Sequence, residues 1–198
     1  GYEIFREGKI PKAGSFATVL NSKGDKLWSE IVSTGTSVEH CSLEQDGSLY
    51  LSGNIAGDLS KKGSGFGNGF SLGPPKGNSH VVAWLTKFDP QGRTMWLKSI
   101  YGADGGQSVD VQTIGQHVVH VGYGRGDILV ENKKWSTGAD NRPDMYLSIY
   151  GSDGALQNNL FLYETNFRKL KEYYFDKKKV YAELENKILI LGDMFELG

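Results

Sequence analysis

The stretch Val82-Ala-Trp-Leu-Thr-Lys-Phe-Asp-Pro-Gln-Gly-Arg-Thr-Met-Trp96 joins an apolar run to a glycine turn, with a tryptophan four residues past the glycine. Phe16-Ala-Thr-Val-Leu-Asn-Ser-Lys-Gly-Asp-Lys-Leu-Trp28 has the same order. Asp144-Met-Tyr-Leu-Ser-Ile-Tyr-Gly-Ser-Asp-Gly154 repeats strand and turn a third time, with Asn158 in the tryptophan's place. The apolar residues recur as short runs or at period two, and glycine, Asp, Asn and Ser bound them, which is the signature of strands and hairpins rather than helices.

A second element follows each turn. Leu49-Tyr-Leu-Ser-Gly53, Val118-Val-His-Val-Gly122 and Ile188-Leu-Ile-Leu-Gly192 each place a glycine behind four apolar-leaning residues. Recurrence in units of about 62 to 70 residues indicates a repeat architecture in which each unit needs its neighbours to bury its faces. The repeat divides the chain into 16–79, 80–143 and a truncated 144–198, with 1–15 as the end of a preceding unit. The third unit carries an insertion, placed near Asn166 to Lys179, and Phe167 to Glu185 admits either a helical turn or a strand with a long hairpin. The expected fold is all-β: β-propeller blades of four-stranded antiparallel sheets, a partial propeller completed by additional chain or by a partner. An open arc leaves sheet edges unpaired, which is why completion is expected.

Composition narrows the class further. Glycine supplies 27 of 198 residues and proline only 5, so the glycines punctuate strands rather than form a disordered linker. A formal charge of -1 gives no electrostatic footprint for nucleic acid. No apolar stretch is long enough for a spanning helix, so membrane insertion is not expected. One cysteine, Cys41, excludes an intrachain disulfide framework, and its expected state is a buried inert thiol.

The run Gly53 to Gly57, Phe66-Gly67, Leu72 and then Val82 to Trp96 resembles the bacterial SBBP-type β-propeller repeat. The resemblance is strongest over residues 45–126 and weakest after Asn158; Trp84 stands where the family carries a smaller apolar residue. It implies a propeller in a secreted or cell-surface bacterial protein, with no activity common to its members. Sialidase-type Asp boxes fit less well, because the spacings from Asp89 to Gly92 and from Gly92 to Trp96 are each one residue too long.

Candidate chemistry is sparse. His117 and His120 lie three apart on a strand, which sends them to opposite faces and prevents a shared metal. Gly63-Ser-Gly-Phe-Gly-Asn-Gly69 lacks the lysine and following helix of a phosphate loop and reads as a hairpin. The turns at Asp46-Gly47, Asp104-Gly105 and Asp153-Gly154 match no calcium loop. No catalytic residue, metal site or cofactor is assigned.

Trp28 and Trp96 recur at one repeat position and are expected to pack between units. Trp84 and Trp135 do not recur, which makes them the candidate binding tryptophans, with Tyr101, Tyr123 and Arg125 on neighbouring loops. The loops Tyr101 to Gln107, Asn54 to Leu59 and Tyr123 to Ile128 are expected near unit edges. The function expected is a non-enzymatic scaffold for a protein partner or for the remaining blades. The alternatives are a propeller binding a glycan, or part of an enzyme whose site lies elsewhere.

Overall fold

The Asp89-Pro90-Gln91-Gly92 turn shows how the local sequence shapes the fold. Gly92 N–H donates to the Asp89 carbonyl and Asp89 N–H to the Arg93 carbonyl, both at 2.9 Å. Gly92 takes φ 81°, a backbone state that costs glycine little. The Asp89 carboxylate accepts from Gln91 N, Arg93 N and Arg93 Nε. Burial alone would raise that carboxyl's pKa, but the bonds donated by Arg93 and Gln91 carry it below the ordinary value. This turn joins β7 (His80–Phe88) to β8 (Thr94–Gly102). The same closure, an N–H of the turn glycine to the carbonyl three residues before it, recurs at Gly24, Gly47 and Gly154.

The computed structural model describes residues 14–33, 36–55, 64–66, 69–72, 80–103, 105–131, 133–136, 144–162, 179–184 and 187–193. Among them the chain is all-β, antiparallel and without an α-helix. β1 (Ser15–Leu20) and β2 (Lys26–Ser33) pair as a two-stranded sheet. β3 (Thr36–Leu43), β4 (Leu49–Ile55), β7 and β8 lie side by side in chain order. The small hairpin β5 (Ser64–Gly65) and β6 (Ser71–Leu72) interrupts them between the second strand and the third.

The next run repeats that plan. β9 (Gly106–Ile114), β10 (His117–Gly124), β13 (Asp144–Gly151) and β14 (Leu156–Leu162) form a four-stranded sheet, interrupted by the hairpin β11 (Asp127–Val130) and β12 (Lys133–Ser136). β11 pairs with β8, extending the earlier run to six strands. Phe66, beside β5, makes the corresponding bridge to Ser33 at the end of β2. Each inserted hairpin therefore reaches back to the last strand of the preceding run. β15 (Lys179–Leu184) and β16 (Lys187–Asp193) form a further pair. The described sheets do not close into a ring.

Within 80–143, β7 and β8 are the last two strands of one run, and β9 and β10 are the first two of the next. The insertion near 166–179, and the part of Phe167 to Glu185 that precedes β15, lie outside the described residues. So do 1–13 of the segment assigned to a preceding unit.

The core lies between successive sheets. Trp28 of β2 stacks on Phe88 with ring centroids 5.8 Å apart and covers Gly92. Trp96 of β8 lies against Tyr150 and covers Gly154, its Nε1 donating to the Ser152 carbonyl at 3.1 Å. Both turn glycines lack a side chain where an indole now sits, so one absent Cβ serves the backbone angle and the inter-sheet contact together. Inside each run a second glycine repeats. Gly53 and Gly122 stand opposite Trp84 and Tyr146, and a Cβ at either would collide with that aromatic and with a carbonyl of the adjacent strand. Irregular pairing beside both glycines, at Val38/His40 and Val121/Gly122, accommodates the large rings.

Candidate interaction surface

Three connections named from the sequence meet at one end of the sheets. Arg125 N–H donates to the Gly105 carbonyl and Ala103 N–H to the Asp127 carbonyl, both at 3.0 Å, which ties the loop after β8 to the loop after β10. The Asn54 side-chain oxygen accepts from Ser108 N at 2.7 Å and brings in the end of β4. Positive φ at Gly105 and Gly126 lets these short loops reverse within a few residues. Residues 56–59 of the third loop lie outside the described residues.

Tyr123 and Arg125 are on this rim. The Tyr123 hydroxyl donates to Gln107 Oε1 at 2.6 Å, and the Arg125 side chain is exposed. Lys134 pairs with Asp127 at 2.7 Å on the adjoining hairpin. The rim thus offers a phenol, an amide and a guanidinium, groups suited to polar recognition of a protein surface. Tyr101 is half-buried in β8 and packs against the core shared by β2, β4 and β7, so only part of its ring faces outward. Trp135 pairs with Ile128 in β12 through its backbone; its side chain lies outside the described residues.

Trp84 requires a correction. It is fully buried, edge-on to Phe66 at 5.0 Å between ring centroids, and its Nε1 points to the Asn54 carbonyl at 3.4 Å. The ring, one of the two candidate binding tryptophans, instead fills the space above Gly53. Cys41 departs in the other direction: it is exposed on β3, the edge strand of the six-stranded sheet, rather than buried. Trp28 and Trp96 occupy the inter-sheet positions described above.

Neither a protein-family model nor a curated protein matches the chain.

A polar seam beneath the rim was not anticipated. Ser108 Oγ donates to Ser52 Oγ at 2.9 Å and lies 2.9 Å from His120 Nε2. The tautomer of His120 decides which of Ser108 and His120 donates. Burial draws His120 down to about 3, with His40 adding a smaller push in the same direction, so the ring is neutral. Ser108 and His120 are buried, and the pair fastens β9 and β10 to β4. His117, three residues earlier, is exposed on the opposite face, as strand alternation requires. No group of three metal-ligating side chains converges among the described residues. The signal for the seam lies in Ser52 and His120, polar residues set inside otherwise apolar strands, but their meeting depends on contact between different sheets.

Proposed function

We propose that the chain is a run of divergent β-propeller blades that serves as a non-enzymatic scaffold, engaging a protein partner in an extracellular or cell-surface bacterial assembly. The observation that carries this reading is the repeated seating of an indole on the next unit's turn glycine, Trp28 on Gly92 and Trp96 on Gly154. A contact that recurs from unit to unit is the stacking rule of a repeat fold, in which every sheet is covered by the one before it. Support for blades comes from the antiparallel runs β3-β4-β7-β8, within a six-stranded sheet, and β9-β10-β13-β14. The convergent rim loops are the surface on which a partner docks, and the extracellular compartment is part of the proposal, drawn from the resemblance to the SBBP-type repeat alone.

Photo-crosslinking in the native host tests the reading. A photoreactive residue at Gln107 or Arg125 is expected to give a discrete protein adduct, whereas one at Gln116, in the turn at the other end of β9, gives none. A glycan-array signal lost in Tyr123→Ala, without protein adducts at the rim, would replace this reading with the sugar-binding alternative.

A further inference from the structure

Each described unit carries two large apolar residues on one face of the strand that leads into its glycine turn: one just before the turn and one four residues earlier. They are Leu20 and Phe16 in β1, Phe88 and Trp84 in β7, and Tyr150 and Tyr146 in β13. The last four are at most 1% exposed, covered by the unit before. Phe16 and Leu20 are 58% and 53% exposed. Ile31, paired with Phe16 across the hairpin, and Leu27 are exposed as well. The turn glycines follow the same division. Indole rings crowd the Cβ positions of Gly92 and Gly154, whereas no described residue lies within 4 Å of that position at Gly24, although its φ of 86° matches theirs.

We infer that the exposed face of β1–β2 is a docking surface for one further antiparallel strand pair of the same repeat, whose outer strand seats a tryptophan over Gly24 and against Leu20. The inference rests on the scaffold reading above and names the partner that such a scaffold takes at this end. The interface it continues is present twice within the chain, once at Trp28 and once at Trp96, so the geometry of the missing contact is set by the two that are made. A second copy of this chain is the poorer occupant. Its Trp28 and Trp96 are already seated, and the corresponding position in β14 is Asn158, which brings an amide where the slot takes a ring. Phe16 faces Ile31 across the hairpin and the Thr18–Ser29 hydrogen bond separates that pair from Leu20, so the face carries exposed apolar side chains on both sides of one polar pair.

The test uses the full chain and a backbone-cyclised peptide of residues 15–33, the hairpin that occupies this kind of face on the next unit. Fluorescence anisotropy of the labelled peptide is expected to show saturable binding at or below about 1 mM. Trp28→Ala in the peptide weakens it at least about tenfold, as removal of a central aromatic anchor does. Leu20→Asp in the full chain abolishes it, and because Leu20 is exposed this variant keeps the fold. Hydroxyl-radical footprinting gives an independent readout: Phe16 and Leu20 are oxidised in the free chain and protected by the peptide. Absence of binding, binding that survives Leu20→Asp, or equal binding of the Trp28→Ala peptide would overturn the inference. So would protection of Phe16 in the free chain, or a dimer in sedimentation that Leu20→Asp dissolves. Rim adducts at Gln107 or Arg125 with no peptide binding would leave the scaffold reading standing and remove only this face; the converse result would remove the rim.

Discussion

The indole of Trp96 rests on the backbone of Gly154, so close that a methyl group there would lie 2.8 Å from the ring. Trp28 makes the same approach to Gly92 at 2.7 Å. Alanine at Gly24 incurs only the strain of a positive φ, about 1 kcal/mol. Alanine at Gly92 or Gly154 adds displacement of an indole, about 1–3 kcal/mol more. Urea unfolding of the three variants should therefore separate Gly24→Ala from the other two, and equal midpoints would argue against the inter-sheet contact.

Trp84→Ala should destabilise the chain by about 3–5 kcal/mol, the range for deleting a large aromatic from a packed core. Trp84→Tyr should cost less than half as much, because tyrosine already fills the counterpart position at Tyr146. Chemical denaturation checks both, and an alanine variant as stable as the parent would return Trp84 to the surface.

Stability should fall on mild acidification through His120. Its folded-state pKa is depressed to about 3, while the unfolded ring titrates near the ordinary value of about 6.5. The contribution is thus complete above about pH 6.5 and is lost progressively as the pH drops towards 3, at up to about 1.4 kcal/mol per pH unit. Unfolding free energies from urea titrations at pH 7.5 and pH 5.5 should differ by about 1.4 kcal/mol in the parent and converge in His120→Asn. A parent midpoint indifferent to this interval would contradict a buried neutral imidazole.

Tyr123→Ala and Arg125→Ala should abolish rim crosslinking with thermal midpoints within about 2 °C of the parent, since both residues lie outside the core. Loss of the adduct accompanied by unfolding would show the rim to be structural instead.

The turns were legible in the sequence because their chemistry is local. Gly24, Gly92 and Gly154 sit where positive φ is needed, and Asn21 and Asp89 accept the backbone N–H groups that the reversal exposes. The tryptophans were half legible. Recurrence placed Trp28 and Trp96 between sheets, but the same reasoning misread Trp84, because its position recurs in aromatic character rather than in identity, as Phe16, Trp84 and Tyr146. Cys41 was misread because nothing in its neighbourhood shows that β3 ends a sheet; burial of a strand depends on what pairs beside it. The Ser52–Ser108–His120 seam joins different sheets and was invisible for that reason.

The backward reach of the β11–β12 hairpin means that the molecule offers no clean place to be divided. Cutting before β9 to isolate a four-stranded sheet would strip the edge of β8 of its cover, and the excised half would keep a hairpin with nothing to lie against. Fragments should accordingly be drawn to include the neighbour on either side, and the smallest soluble piece is expected to be longer than one sheet.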